Sequence, residues 1–286
     1  MPARPLLLFA AVAALFSGAA RADAPQATES MAEHRLKDIA EHQKVLFADA
    51  MAQGKDLDNG AFETQIEQLT REYESLLRDN PDYAPGYACY GYMLWKIGLR
   101  KQAVAILLKA NEMDPEIPLV KNELGNYLAE EGKPLEAVNY YLSAIKLEPK
   151  EPLYHYQLGT LLYEARDDFM KSGDWTRDSI DSAMLEAFRM AAELAPDRLE
   201  FTYRYAESFA DVRDPDWPAA LKAWEGLEAR AQSDIERQTM RLQQANVLLN
   251  MGRDDDARKR LDTVTDATLG AQKQKLVARL ASGAEK

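Results

Sequence analysis

The chain has 286 residues, with 35 lysines and arginines against 47 aspartates and glutamates, and a formal net charge of −12. A surface of that sign repels a polyanion, which excludes a nucleic-acid partner. Cys89 is the single cysteine, so no disulfide framework can hold the chain together and stability has to come from packing.

Residues 1–22 read as a secretory signal peptide: Arg4, an apolar run from Leu6 to Phe16, then the small-residue pattern Ala20, Arg21, Ala22. The run is shorter than the roughly 20 residues needed to span a bilayer. Cleavage is expected after Ala22, with Ala24 offering a second site, and no cysteine follows the run to carry a lipid. Losing Arg4 and Arg21 leaves 33 bases against 47 acids, a net charge of −14. Residues 23–29 are expected to be a flexible mature start, and no later stretch has spanning length. The expected location is the periplasm or the exterior, with no integral membrane segment after cleavage.

Residues 30–83 follow as a helix pair. Ser30 and Glu33 have the spacing of a capping box, and Leu36, Ile39, Leu46, Phe47 and Ala50 keep helical periodicity. Phe62, Ile66, Leu69, Tyr73 and Leu76 step by four and three in a second helix. The pair either caps one end of a stack or offers a face for dimerisation.

From residue 84 the chain repeats itself. Ala103, Leu107, Ala110 and Pro115 return 34 residues later as Ala137, Tyr141, Ala144 and Pro149. Upstream, Tyr90, Gly91 and Leu94 return as Leu124, Gly125 and Leu128, and again as Leu158, Gly159 and Leu162. The physical reading is a helical hairpin whose first helix carries glycine where the partner crosses closely. Gly98, Gly132 and Gly252 stand where the first helix of a hairpin ends, and Pro115, Pro149 and Pro196 stop the second.

This pattern resembles the tetratricopeptide repeat family, whose unit of about 34 residues carries these offsets. The resemblance implies an all-α, right-handed α-solenoid of five to six stacked helix-turn-helix hairpins with capping helices. Units are expected at 84–117, 118–151, 152–198, 199–232 and 233–264, after the degenerate pair at 30–83 and before a capping helix and tail at 265–286. The fourth opens at about Leu199 and keeps Tyr205, Ala206, Phe209, Ala220 and Trp224; the weaker fifth keeps Ala245, Leu248, Ala257 and Leu261. The third is 13 residues longer than its siblings, and the excess, which falls near Arg166 to Ser182, reads as a surface loop, an extended helix pair or a partner contact, the loop foremost. Asp214-Pro215-Asp216-Trp217-Pro218 reads as a stiff turn, with Pro218 at a first helical position.

The same resemblance implies a concave groove lined by first helices. Its inward places are Tyr92, Trp95 and Lys96; Asn122, Asn126 and Glu130; Tyr156, Thr160 and Tyr163; Tyr203, Glu207 and Asp211; and Asn246. Asn122 and Asn126 lie one turn apart and suit a peptide backbone, unless they are ordinary solvated residues; the aromatic rings suit side chains or sugars, unless they serve packing. The lysine- and asparagine-rich clamp that some relatives use for C-terminal carboxylates is absent, its places being Ala88, Tyr92, Glu123, Leu153 and Gln157.

Cys89, among Tyr87, Tyr90 and Tyr92, reads as a small buried residue. His34, His42 and His155 are scattered, with no HExxH, CxxC or phosphate-cradling loop, so no enzyme, metal or cofactor is expected. The expected function is an extracytoplasmic scaffold that holds a protein or peptide segment in its groove within a bacterial envelope assembly. The alternatives are a scaffold for polysaccharide export or synthesis, and a self-assembling structural protein.

Overall fold

A computed structural model describes residues 30–283; the signal-peptide residues 1–22, the start at 23–29 and the last three residues lie outside the described part. Among the described residues there are fourteen α-helices and no strand. The chain divides into two compact units, the division falling between Tyr154 and His155.

The first unit is built from α1 (Met31–Gln53), α2 (Asn59–Asp79), α3 (Ala84–Lys96), α4 (Arg100–Met113), α5 (Pro118–Glu130) and α6 (Pro134–Leu147), packed as three successive hairpins. Ser30 caps α1 by accepting from the Glu33 amide at 3.1 Å, while the Glu33 carboxylate pairs with Lys37. The reciprocal half of the expected box is therefore taken up by an i,i+4 ion pair. Leu36, Ile39, Leu46 and Phe47 bury against Leu69, Tyr73 and Leu76 of α2 in one continuous core. Tyr73 is fully buried, donates its hydroxyl to Gln43 at 2.6 Å and stacks on Tyr90, which ties the first hairpin to the next. Cys89 is fully buried on α3 and desolvation pushes its thiol up to about 12, so it packs as a small apolar residue.

The turns repeat one geometry. At Gly98 and Gly132, φ is 82° and 72°, a left-handed conformation that costs glycine little, and the following amides, Leu99 and Lys133, reach back to the carbonyls of Leu94 and Leu128. Helices α4 and α6 end two residues before Pro115 and Pro149, where a missing amide and a ring clash forbid another turn.

The second unit takes up α7 (Pro152–Glu164) from His155 onward and continues with α8 (Arg166–Ser172), α9 (Arg177–Leu194), α10 (Leu199–Ser208), α11 (Trp217–Arg230), α12 (Asp234–Asn250), α13 (Asp254–Asp262) and α14 (Gly270–Gly283). The expected surface loop at Arg166 to Ser182 is instead two helical stretches joined by residues 173–176. Short α8 carries the fully buried Phe169, which meets Trp175 edge-on at 5.3 Å, and Thr176 with Ser179 forms a capping box that opens α9. A buried aromatic anchor and a capped restart leave no freedom for a loop. Pro218 is the second residue of α11 and not the first; Asp216 caps that helix through the Ala219 amide. The fifth first helix begins at Asp234, where Ser233 and Glu236 form a complete capping box.

One contact sets hairpin geometry. A Cβ placed on Gly91, Gly125 or Gly159 would fall 2.7 Å from Leu107, 2.9 Å from Tyr141 and 2.8 Å from Phe188. Gly226 is also helical, yet a Cβ there would meet nothing within 4 Å. Overpacking costs about 1–3 kcal/mol, whereas replacing an unhindered helical glycine by alanine gains about 0.5–1 kcal/mol. Gly125→Ala is therefore expected to lower stability by about 1 kcal/mol and Gly226→Ala to raise it by about 0.5 kcal/mol, as read from urea midpoints at constant slope.

Candidate functional site

In the first unit the expected groove residues have become a packed polar cluster. Asn122 is fully buried and Tyr92 is 4% exposed, so neither presents a surface to a ligand, contrary to expectation. Asn122 is turned inward by Glu123. Its carboxylate is buried and accepts from Asn122 at 3.0 Å through one oxygen and from Asn126 at 3.1 Å through the other. Tyr141 donates to the Asn126 carbonyl oxygen at 2.7 Å, so that the amide expected to read a peptide backbone bridges α5 to α6. The Lys96 ammonium sits 5.0 Å over the Tyr92 ring. Desolvation raises the Glu123 carboxyl above its ordinary value, against the pull of Lys96 and the two amides. Lys96, Asn126 and Trp95 remain partly exposed and Glu130 is exposed; Arg100 lies 4.7 Å over the Trp95 ring and pairs with Glu130.

The second unit holds a cleft of about 390 Å³. It is lined by Tyr163 of α7, Arg204 and Glu207 of α10, Trp217 and Trp224 of α11, and Gln243 and Asn246 of α12, with Asp211 at the turn after α10. Four of the expected groove residues, Tyr163, Glu207, Asp211 and Asn246, thus share one cavity. Tyr163 is 41% exposed and Glu207 is exposed too, whereas Asn246 is half-buried and accepts from Arg279 of α14. Tyr156, Thr160 and Tyr203 do not line it. Tyr156 packs against Phe188 and Phe201, the Thr160 hydroxyl donates to its own helix at the Tyr156 carbonyl, and Tyr203 meets Trp224 edge-on at 4.9 Å.

Charges beside this cleft fix its shape. Asp181 is buried and accepts two bonds from Arg177 at 2.7 and 2.8 Å and one from the Arg213 amide at 2.9 Å, and it lies 3.3 Å from Arg166. Arg166 and Arg177 both donate to the Asp211 carbonyl, at 3.1 and 2.8 Å. Arg204 pairs with the Asp211 carboxylate at 2.8 Å, and its guanidinium lies over the rings of Tyr163 and Phe188, 4.4 and 4.6 Å from their centres. The additional helical segment is thereby tied to the turn that forms one wall of the cleft. Arg204, Trp217 and Gln243 were not among the groove residues expected from register. Arg204 neighbours the expected Tyr203 and its length carries it around the helix, and Trp217 was visible only as part of a turn.

Among the described residues no group of three or more metal-ligating side chains converges, and no helix is long and apolar enough to cross a membrane. His42 pairs with Glu72 at 3.0 Å, His34 with Asp38 on the surface, and His155 is buried in α7, so the histidines stay apart.

Two outcomes follow from the buried charges. Removing one partner of a buried ion pair costs about 3–5 kcal/mol, while an exposed pair is worth under about 1 kcal/mol. Asp181→Ala is expected to destabilise by about 3 kcal/mol, and Arg189→Ala, at the exposed Glu186–Arg189–Glu193 ladder, by about 0.5 kcal/mol or less, both from chemical denaturation. For Glu123 the folded carboxyl is held above its unfolded value, so its proton stabilises the fold fully below the unfolded value, and this contribution is lost as pH rises through the raised one. Glu123→Gln is expected to flatten that part of the pH dependence, measured as urea midpoints across the acidic range.

A family model described as tetratricopeptide repeat matches residues 120–151, the helices α5 and α6 with their flanking turns. A search of curated proteins finds no sequence match. Solved structures of the same fold include YrrB, a TPR protein with an unusual peptide-binding site, at 17% identity over 71% of this chain and 97% of that one, TM-score 0.57. PilF of Pseudomonas aeruginosa matches at 15% identity over 84% and 99%, TM-score 0.53. PilW, a widely conserved type IV pilus biogenesis factor, matches at 12% over 82% and 98%, TM-score 0.51. One repeat is matched by the family model, and the neighbouring hairpins carry its 34-residue register on, in the fold of the tetratricopeptide-repeat structures.

Proposed function

We propose that this chain is a protein–protein interaction scaffold that holds a segment of another protein at the second-unit cleft. The observation that carries the reading is the cleft itself: aromatic and amide side chains from α7, α11 and α12 converge there with the charged Arg204 and Glu207 of α10, around a volume within the range of ligand sites. YrrB, a repeat protein of the same fold, has a peptide-binding site, and PilW is a pilus biogenesis factor; both support an adaptor in an assembly over a free-standing enzyme. We place the scaffold outside the cytoplasm, in a bacterial envelope, on the leader pattern at residues 1–22.

A polysaccharide role would rest on exposed flat rings, and Tyr92 and Tyr156 are committed to packing. Partner capture by crosslinking in the native envelope tests the scaffold reading. A Tyr163→Ala, Glu207→Ala chain, altered only at exposed positions, is expected to keep its circular dichroism and to lose the captured partner by at least about tenfold, as hot-spot truncations do. Equal capture by both chains would move the binding site elsewhere, and no capture by either would remove the scaffold reading.

A further inference from the structure

The cleft carries a more specific message in its charges. Arg204 is its one cation; one of its terminal nitrogens pairs with Asp211 at 2.8 Å, the other is buried without a hydrogen bond, the rings of Tyr163 and Phe188 lie 4.4 and 4.6 Å away, and only 16% of the side chain is exposed. Glu207 is different. It stands one turn along α10 from Arg204, at the exposed side of the cavity, and among the described residues its carboxylate takes part in no ion pair or hydrogen bond. Desolvation, together with the nearby Asp211, raises its carboxyl above the ordinary value despite the field of Arg204, which is the condition of an anion short of a cation. The indole of Trp217 lines the same cavity half-buried, and among the described residues it joins no aromatic or cation–π pair. Tryptophan is the best side chain for holding a cation against its face. An uncompensated carboxylate and a tryptophan in one concave site, on a chain of net charge −12, complement a positive group on an apolar stem.

Resting on the scaffold reading above, we infer that the cleft is a specificity pocket for a basic side chain, lysine or arginine, of the partner segment, with Glu207 as its ion-pair acceptor and Trp217 as its cation–π wall. The stem of the basic residue packs along the aromatic lining, and the amides of Gln243 and Asn246 face the same space.

The test uses the purified chain and short, unstructured, fluorescently labelled peptides that differ only in one repeated residue: lysine, arginine, norleucine or glutamate. Norleucine keeps the lysine stem without its charge. Fluorescence anisotropy is expected to give at least about tenfold tighter binding for the lysine and arginine peptides than for the norleucine one, and weakest binding for glutamate. Glu207→Gln is expected to lower lysine-peptide affinity about tenfold, while Glu67→Gln, an equal charge change on exposed α2, leaves it unchanged. Equal losses in the two variants would overturn the inference in favour of diffuse attraction. So would norleucine binding as well as lysine, glutamate binding best, or no peptide binding. The two readings fail separately: if Glu207→Gln still captures the envelope partner and the peptides show no preference, the scaffold survives and the basic pocket does not.

Discussion

The close approach of a first-helix glycine to a large second-helix side chain is the contact on which both units depend. Gly91 admits Leu107, Gly125 admits Tyr141 and Gly159 admits Phe188, each at a distance that leaves no room for a methyl group. Because helix surfaces interlock through ridges and grooves, fixing one such point fixes the crossing of the pair and the row of side chains left facing outward. In the α3–α4 and α5–α6 hairpins the paired residues are 16 apart in sequence, and across α7 and α9 they are 29 apart. The difference equals the 13 residues of the insertion, so the added segment is accommodated without loosening the contact. α9 simply begins earlier, and α8 is laid down in front of it.

Accommodating that segment required charge. Arg166 and Arg177 converge on the buried Asp181 and on the Asp211 carbonyl, and Arg204 takes the Asp211 carboxylate. A buried ion pair is weak evidence for stability in itself, since desolvation offsets much of the attraction; its value is geometric, because each partner is costly to leave alone. Here the network joins α9 to the turn after α10, and that turn forms a wall of the cleft. The position of Tyr163, with Arg204 over its ring, is set by the same chain of contacts.

Groove residues divide between the units for a related reason. In the first unit the row that register places inward contains a carboxylate, Glu123, and once buried it requires donors. Asn122 and Asn126 meet that requirement, and Tyr141 closes the set. Side chains that a one-dimensional pattern offers to a ligand are thus consumed by an internal acid. No comparable acid is buried beneath α10, so Glu207 remains at the surface of the cavity.

Hairpin architecture, the glycine contacts and the proline stops were determined by the sequence alone, because each rests on steric rules that act within a few residues or at a fixed repeat offset. The burial of Cys89 followed from the same register. Tertiary structure alone decided that Arg166 to Ser182 forms two helical stretches anchored by Phe169, that Asn122 turns to Glu123 while Tyr92 is buried, and that Trp217 and Arg204 line a cleft with Tyr163. Those outcomes turn on long side chains and buried charges choosing partners up to 45 residues away, as Arg166 does with Asp211, and periodicity along the chain carries no information about such choices.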